Sequence, residues 1–407
     1  MKQGYLSEFF KAVAIKKLSA VEINPARSHQ REFNGVKELQ AMLGNIRREF
    51  PTKCIYLNDD EPVSDETTMT WYDARKKHQK RTEWRLYPKA TAVSFLGAEG
   101  DTLIICQNQD DSLLMIIAEK DSTIEKQLLW LFGVGETISS IFTVKATLET
   151  EQDRLQFASR YILEKIGIEP QEEDENLLDV MLREFGGGFP TTDIFSAFAR
   201  NSIPDISAKD NPDQALLAWM NQEDILFRTL EKHLIADRIS KGWEVEDFIS
   251  FSLSVHNRRK SRAGFAFENH VEQIFKDVGV AYSRTKITEG NKKPDFVFPH
   301  IDLYHNDRFP NDLLTMLGAK TTSKDRWRQI LNEADKIIHK HLLTLEPSIS
   351  ENQTDEMTAC GLSLVVPDEV RNTYTETQRR QIMTVRDFVD LAIDRQQKIP
   401  AGFMLPA

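Results

Sequence analysis

Cysteine is scarce in this chain: 407 residues contain three, Cys54, Cys106 and Cys360. They lie far apart and form no C-x-x-C pair, which argues against a disulfide framework and against a structural zinc site. Scattered free thiols fit a reducing compartment, so we expect a cytoplasmic protein.

Long apolar runs are also missing. The most apolar stretch, Leu103–Ala118, is broken by the polar residues 107–112 and does not reach membrane-spanning length. The first residues, Met1–Tyr5, lack the apolar core of a secretory signal peptide. We therefore expect no membrane partner. Glycine and proline are not enriched, and no repeat or low-complexity tract is present.

A net positive charge, common in nucleic-acid binders, is absent, because the formal net charge is -11. Net charge governs solubility, whereas binding depends on where the charges lie. Acidic residues concentrate at 172–175, while basic residues cluster elsewhere. The overall acidity therefore does not exclude a DNA-binding protein.

The first 145 residues predict a strand-rich domain. Candidate strands follow one another at short spacing with few helices between them, which indicates a barrel or sandwich. These strands are Lys53–Leu57, Met69–Tyr72, Thr82–Tyr87, Ala92–Leu96, Thr102–Cys106 and Leu113–Ala118.

Two basic clusters lie in this strand-rich half. The second mixes cationic and amide side chains with a nearby aromatic, which suits phosphate contacts and base reading. An ordinary solvated loop explains that cluster equally well. The candidate DNA contacts are Lys16, Lys17, Arg27, His29, Arg31, Lys76, Lys77, Lys80, Arg81, Trp84 and Arg85.

Helical patterns begin near residue 149. Helices are predicted at Asp153–Ile166, Asp213–Ala236 and Val245–Val255. The glycines at 186–188 lack the Lys-Ser/Thr of a phosphate-binding loop, so we interpret them as a hinge or turn. The predicted domains are residues 1–148, a helical linker region at 149–188, and residues 189–407.

Four cations occupy the five residues Arg258–Arg262, directly before a predicted helix at Phe265–Val278. A charge run of this kind is usually a solvated face. The buried face of the helix is predicted to consist of Phe267, Val271, Ile274 and Phe275. Glu268 lies near that face, where a glutamate is more often solvated than catalytic.

Strands and helices interleave after this helix, which indicates an α/β domain. The predicted strands are Val280–Ile287, Pro294–Phe298, Leu313–Lys320 and Leu362–Val366, and the last predicted helix is Glu376–Gln397.

Two carboxylates and a lysine in this part of the chain could form a metal-dependent phosphodiesterase site. Asp295 lies in a buried strand and needs a partner, either a metal ion or Lys293. Lys320 ends the next strand. On the helix expected after it, Arg326, Ile330, Glu333 and Ile337 share one side.

The stretch from Asn257 to His341 resembles the catalytic domain of EcoRII-like type II restriction endonucleases. The resemblance is carried by Asn257–Gly264, Ile287–Phe296, Ala319–Thr322 and Lys324–Lys336. It implies a PD-(D/E)XK nuclease fold with Asp295, Lys320 and Glu333 as catalytic residues and Glu268 as an auxiliary acid. The final glutamate would come from the helix, since Gly318 stands two residues before the lysine.

The resemblance also implies which residues contact DNA. Lys324, Asp325 and Arg326 match family residues that read cytosine and guanine in sites of the C-C-x-G-G type. Arg and Lys donate to guanine, and Asp accepts from cytosine. Met220 and Asp224 match positions where the family stacks flipped bases, so flipping is not carried over. The remaining DNA-binding candidates are Asn257, Arg258, Arg259, Lys260 and Arg262.

The first half is more faintly similar to the effector domain of this family, a DNA-binding pseudobarrel. The matching strips are Ile15–Ala20 with His29–Gln30, and Trp71–Tyr72 with Lys76–Trp84. The expected fold is therefore multidomain, with an N-terminal β-rich pseudobarrel and a C-terminal α/β domain of the PD-(D/E)XK type.

The resemblance implies a Mg²⁺-dependent type II restriction endonuclease whose metal ligands are Asp295 and Glu333. Its partners would be double-stranded DNA, a second copy in a homodimer, and a cognate DNA methyltransferase of the same system. A second DNA site could act as an allosteric effector. The alternatives are a modification-dependent defence nuclease, a non-cleaving sequence or methylation reader, and a nuclease of RNA or single strands.

Overall fold

The computed structural model describes residues 4–23, 32–78, 81–135, 138–168, 175–186, 188–240, 245–323 and 326–404, with the backbone alone at 175–176, 238–240 and 245–261. Two compact units are present. The first is Met1–Glu169 with Ser348–Ser350, and the second is Pro170–Pro347 with Glu351–Ala407. No helix in the described part is both long enough and apolar enough to cross a membrane.

The described residues of the first unit form eight strands and four α-helices. The strands are β1 (Phe10–Lys17), β2 (Phe33–Asn34), β3 (Arg48–Leu57), β4 (Val63–Asp73), β5 (Trp84–Pro88), β6 (Thr102–Asn108), β7 (Leu113–Ala118) and β8 (Thr143–Lys145). The helices are α1 (Ala20–Ile23), α2 (Lys37–Leu43), α3 (Thr123–Leu131) and α4 (Phe157–Lys165). One sheet joins the strands in the order β2-β5-β4-β3-β7-β6-β1-β8. Its pairs are antiparallel except the parallel pair β3–β7.

This sheet buries both faces, because successive strand residues point to opposite sides. In β7, Ile116 joins a core with Leu128 of α3 and Ile162 of α4. Its neighbour Met115 joins the opposite core with Trp71. A strand that is covered on both faces has a nearly continuous run of apolar residues in its sequence, as β6 and β7 do. The strand-rich prediction is confirmed, and the pseudobarrel stays a prediction.

The second unit contains a helical part and a five-stranded sheet. The helices are α5 (Glu175–Phe185), α6 (Thr192–Asn201), α7 (Pro212–Ser240), α8 (Val245–Val278), α9 (Ile301–Tyr304), α10 (Trp327–Leu331), α11 (Glu351–Ala359), α12 (Asp368–Arg371), α13 (Glu376–Arg379) and α14 (Val385–Gln397). The strands are β9 (Ser283–Arg284), β10 (Phe296–Phe298), β11 (Thr315–Ala319), β12 (Lys340–Leu343) and β13 (Leu362–Val365).

The sheet order is β13-β12-β11-β10-β9, parallel from β11 to β13 and antiparallel from β11 to β9. The second half of α8 packs on this sheet. The ring of Phe275 lies 5.3 Å from that of Phe296 and 5.0 Å from that of Phe298. All four residues predicted for the buried face of α8 are at most 1% exposed. That prediction is confirmed.

The structure of the first half differs from the predictions in three respects. The expected strand Ala92–Leu96 is a short 3-10 turn, because Thr91 and Ser94 hydrogen-bond each other's backbone amides there. Strand β1 and helix α3 were not predicted. Of the predicted linker region 149–188, α4 lies in the core of the first unit, and α5 contributes Met181 to the helical core of the second.

In the second half, the helices predicted at Val245–Val255 and Phe265–Val278 are one continuous helix of 34 residues. No proline separates them, and Arg and Lys favour helix. The single helix predicted at Glu376–Gln397 is two, because Met383 pairs with the backbone of β13 and Thr384 caps α14. The strand predicted at Val280–Ile287 shrinks to β9.

Candidate active site

Asp295 immediately precedes β10. Its neighbour Phe296 pairs with Leu317 of the antiparallel strand β11, so Asp295 lies beside the end of β11. Its Oδ2 accepts a hydrogen bond from the amide of Ala319 (2.7 Å) and lies 2.8 Å from Nζ of Lys320. The protein partner of Asp295 is therefore Lys320, while Lys293 is exposed.

Lys320 directly follows β11, and its amide donates to the carbonyl of Leu343 in β12 (2.9 Å). Its Nζ also lies 3.1 Å from Oδ1 of Asp295, so the amine spans both oxygens of the carboxylate. The two residues lie at the ends of adjacent strands of one sheet, a rigid support for a candidate catalytic pair.

Gly318, two residues before Lys320, has no space for a side chain. A Cβ atom there would lie 2.5 Å from Cδ1 of Ile330 and 3.0 Å from its Cγ1. A carboxylate in the usual position before the lysine is therefore sterically blocked. The second acid expected from the family resemblance would therefore come from another segment.

Glu333 is the acid that approaches Asp295, but it does not lie on a helix. Helix α10 ends at Leu331, and Ala334 adopts a left-handed backbone with φ 50°. The predicted shared helical face of Arg326 and Glu333 is wrong, because the helix stops one turn too early. Arg326 is exposed before α10, whereas Glu333 is half-buried.

The pKa of the Glu333 carboxyl group is shifted by burial and by neighbouring charges. Burial and the negative charge of Asp295 raise the pKa of Glu333 to about 7, against the opposing effect of Lys320. Within the described residues its carboxylate forms no hydrogen bond or ion pair. Two carboxylates that repel each other, one of them without a partner among the described residues, favour binding of a cation.

Glu268 of α8 faces the same cluster. Burial and the charge of Asp295 raise the pKa of Glu268, while Arg284 and Lys320 oppose this shift. Its Oε2 lies 3.1 Å from a guanidinium nitrogen of Arg284. Arg284 also binds Glu272 (2.8 Å), so it holds Glu268 in a fixed network.

The described residues contain no group of three or more His, Cys, Asp or Glu close enough to hold a metal ion. Mg²⁺ usually binds through one or two carboxylates and completes its coordination with waters and substrate phosphates. The pair Asp295 and Glu333 fits this pattern.

Residues 227–389 match the family model described as EcoRII C terminal. This region is similar to the EcoRII C-terminal family. It contains Asp295, Lys320, Glu333 and Glu268, and the predicted family resemblance is confirmed.

Among curated proteins, the type II restriction enzyme EcoRII of Escherichia coli is 45% identical over 196 residues. The match covers 48% of this chain and 47% of that enzyme, so the chain spans about half the length of the relative. Two solved structures of metal-depleted Ecl18kI also resemble the chain. One, with uncleaved, modified DNA, has 18% identity and a TM-score of 0.45, covering 58% of this chain and 88% of that one. The other, with uncleaved DNA, has 20% identity and a TM-score of 0.46, covering 57% and 87%.

The DNA contacts predicted within the EcoRII C-terminal region are placed only in part. Lys324 and Asp325 lie outside the described residues, as do the side chains of Asn257, Arg258, Arg259 and Lys260. Arg262 points into the helical part, with one guanidinium nitrogen 2.7 Å from Asp224 and its Cζ 4.0 Å from the centre of the Phe227 ring.

The predicted N-terminal DNA contacts fall into three groups: residues in ion pairs or half-buried, exposed residues, and residues outside the described part of the chain. Lys16 is 3% exposed with its Nζ 2.5 Å from Glu22, and Lys17 pairs with Glu125. These two lysines can reach DNA only if their ion pairs open. Arg85 pairs with Glu32 at 2.5 Å and is half-buried, as is Trp84. Lys76, Lys77 and Arg81 are exposed, and Arg27, His29, Arg31 and Lys80 lie outside the described residues.

Sequence reasoning missed several residues around the family site. Arg284 fixes Glu268, and Glu346 accepts hydrogen bonds from the amide (2.6 Å) and hydroxyl (2.9 Å) of Ser323, just before Lys324 and Asp325. Glu289, inside a matching motif, bonds the turn after Glu333. Spacing gives no signal for such contacts, because each joins segments distant in sequence.

Proposed function

We propose that this protein is a divalent-metal-dependent type II restriction endonuclease that hydrolyses phosphodiester bonds of duplex DNA at a short site of the CC-GG type. The observation that carries the proposal is the juxtaposition of Asp295 and Lys320, 2.8 Å apart, with Glu333 close enough for its pKa to respond to both. These residues lie within a region of the EcoRII C-terminal family.

Asp295 and Glu333 would hold the cation, proposed to be Mg²⁺. A divalent cation bound there would activate a water molecule and stabilise the charge that develops on phosphorus. Lys320, anchored by Asp295, would contact the scissile phosphate and orient the nucleophile. Glu268, steadied by Arg284, would add a further negative charge beside Asp295. The expected products carry a 5′-phosphate and a 3′-hydroxyl.

DNA would be held by residues close to this centre. The basic strip Asn257–Lys260 is on the same helix as Glu268, about 12–17 Å along its axis at 1.5 Å per residue. The base-reading segment 324–326 lies between Lys320 and Glu333 in the chain. Base reading and cleavage would therefore depend on one short stretch of backbone.

We further propose that two copies form a homodimer, since cutting both strands of a near-palindromic site needs two active sites. The first unit would bind a second copy of the site through the exposed Lys76, Lys77 and Arg81. Its removal should then raise the cutting rate on single-site DNA. A cognate methyltransferase would protect the host genome.

The test is digestion of matched unmethylated and cytosine-methylated plasmids by the full chain, with Mg²⁺ or with EDTA, followed by sequencing of the ends. We expect Mg²⁺-dependent cuts at a single CC-GG type sequence in the unmethylated plasmid. Cuts only in the methylated plasmid would indicate a modification-dependent nuclease. Site-specific binding without cuts in either plasmid would indicate a non-cleaving reader and contradict the proposal.

A further inference from the structure

The turn that carries Glu333, residues 332–337, is held by side chains from other segments. It follows the short helix α10, and its buried residue Ala334 has a left-handed backbone with φ 50°. A non-glycine residue keeps such a conformation only where its surroundings enforce it. The hydrogen bonds of the turn identify which residues do so.

Glu289 and Tyr304 bind the amides of this turn. Oε2 of Glu289 accepts from the amide of Asp335 (3.2 Å) and from the hydroxyl of Tyr304 (2.5 Å). The same hydroxyl accepts from the amide of Lys336 (3.3 Å). Two consecutive backbone donors of the turn are therefore satisfied by one pair of side chains.

Lys340 binds the carbonyls of the turn. It is 6% exposed, and its Nζ donates to the carbonyl of Ile337 (2.6 Å) and, more weakly, to that of Ala334 (3.4 Å). A buried amine needs partners of this kind. Here its bonds stabilise the residues directly after Glu333.

Glu289 also ties this turn to the segment that leads into Asp295. It opens the 3-10 turn Glu289–Asn291, which is closed by a hydrogen bond from the amide of Thr288 to the carbonyl of Lys292 (2.8 Å). Asp295 follows three residues after Lys292. Glu289 thus joins the two backbone segments that carry the two proposed metal ligands.

We infer that Glu289, Tyr304 and Lys340 are positioning residues, which set the placement of Glu333 relative to Asp295 and so the affinity of the site for a divalent cation. This inference rests on the proposed function. Residues that orient metal ligands typically change metal affinity by about 10–100-fold when they are replaced. The replacement of a merely structural residue would lower stability without a selective effect on metal affinity.

The test measures Mn²⁺ binding to the full chain by calorimetry, and the Mn²⁺ concentration for half-maximal DNA cleavage. The variants are Glu289→Leu, Tyr304→Phe and Lys340→Met. Glu289→Gln keeps an acceptor oxygen for both donors. Asp307→Asn is the matched control, because it removes an ion pair of the same turn (2.7 Å from Nζ of Lys336) at a residue whose side chain is 92% exposed. Glu333→Ala sets the scale for loss of a ligand.

We expect the first three variants to need about 10–100-fold more Mn²⁺ in both assays, with Glu289→Gln and Asp307→Asn near wild type. Tyr304→Phe removes a single oxygen, so it should remain folded even if Lys340→Met does not. Wild-type affinity in Tyr304→Phe and Glu289→Leu, while Glu333→Ala binds weakly, would overturn the inference and leave the proposed function standing. Equal losses in Glu289→Gln and Glu289→Leu would also overturn it. Failure of the wild-type chain to bind Mn²⁺ or cut DNA would instead refute the proposed function.

Discussion

Helix α8 contributes to two charged clusters with opposite properties. One is the candidate active site, with Glu268 beside Asp295, Lys320 and Glu333. The other, the helical cluster, consists of Arg200, Glu223, Arg262 and His270. In the helical cluster Nε2 of His270 lies 2.9 Å from Oε2 of Glu223, without the alignment of a hydrogen bond, and Nδ1 lies 3.0 Å from Arg200. His270 and Glu223 are fully buried.

The difference between the clusters lies in the balance of charge and in access to solvent. The two arginines of the helical cluster face two carboxylates, that of buried Glu223 and that of the adjacent Asp224, which lies 2.7 Å from Arg262, so their charges balance. Burial holds the pKa of His270 below its usual value. In the active-site cluster three carboxylates face one lysine and one arginine, and the pKa values of Glu268 and Glu333 are raised. Uncompensated charge within reach of solvent is typical of a binding site. Balanced charge that is buried away from solvent is typical of a structural role.

The largest expected effect is on catalysis. Asp295→Ala and Lys320→Ala should each lower single-turnover cleavage by roughly 10³-fold or more, because each removes part of one catalytic unit. Duplex binding, measured by gel shift, should stay within about tenfold of wild type, since bases are read by other residues. Loss of specific binding in a folded Lys320→Ala variant would count against its catalytic role.

Substitutions in the helical cluster should lower the stability of the protein and leave cleavage largely intact. Glu223→Ala leaves buried cations without their carboxylate and should lower the free energy of unfolding by about 3–5 kcal/mol. Cleavage per folded molecule should change little, which denaturant melts combined with active-site titration would measure. Glu268→Gln is the matched variant on the active-site side, and we expect it to lose cleavage with little loss of stability. Loss of cleavage with normal stability in Glu223→Ala, and loss of stability with normal cleavage in Glu268→Gln, would contradict the distinction between the two clusters.

A substitution at Gly318 tests the steric explanation for why the second acid would come from Glu333. Gly318→Ala places a Cβ 2.5 Å from Cδ1 of Ile330 and should destabilise the protein by about 1–3 kcal/mol through overpacking. Ile330→Val lacks that Cδ1 atom, so the double variant should recover part of the loss in a double-mutant cycle. Strictly additive effects would show that the two side chains do not compete for space.

Arg326 should have the smallest effect. Arg326→Ala should weaken discrimination at one guanine by about 1–3 kcal/mol, because its exposed guanidinium would donate to that base. Binding assays on single-substitution duplexes measure this. A uniform loss on all sequences would identify Arg326 as a phosphate contact.

Local pattern predicted the parts of the site that depend on regular structure. Periodicity gave the buried face of α8, and the residue match selected Asp295 and Lys320, which the sheet register brings together. The helix predicted through Glu333 was wrong, because the turn around Ala334, with its left-handed backbone, is held by hydrogen bonds from the side chains of Lys340 and of Glu289, which lies 46 residues before Asp335. The seven-residue spacing from Arg326 to Glu333, on which the helix was predicted, carries no information about such contacts.

The same limit applies to the predicted DNA contacts. A run of cations in sequence does not show whether a lysine already has an acidic partner. Lys16 pairs with Glu22 and Arg262 with Asp224. For Lys17 the partner, Glu125, lies more than 100 residues away.

The central claim, that Asp295 and Glu333 together hold a divalent cation, is tested most directly by Fe²⁺-mediated cleavage of the protein itself. Fe²⁺ bound in place of Mg²⁺ generates radicals in the presence of ascorbate and peroxide, and these cut the nearest backbone. Mass spectrometry of the full chain with DNA should find cuts near residues 295 and 333, suppressed by excess Mg²⁺ and absent in Asp295→Ala. Cuts elsewhere, or none while Mg²⁺-dependent DNA cleavage persists, would contradict the account.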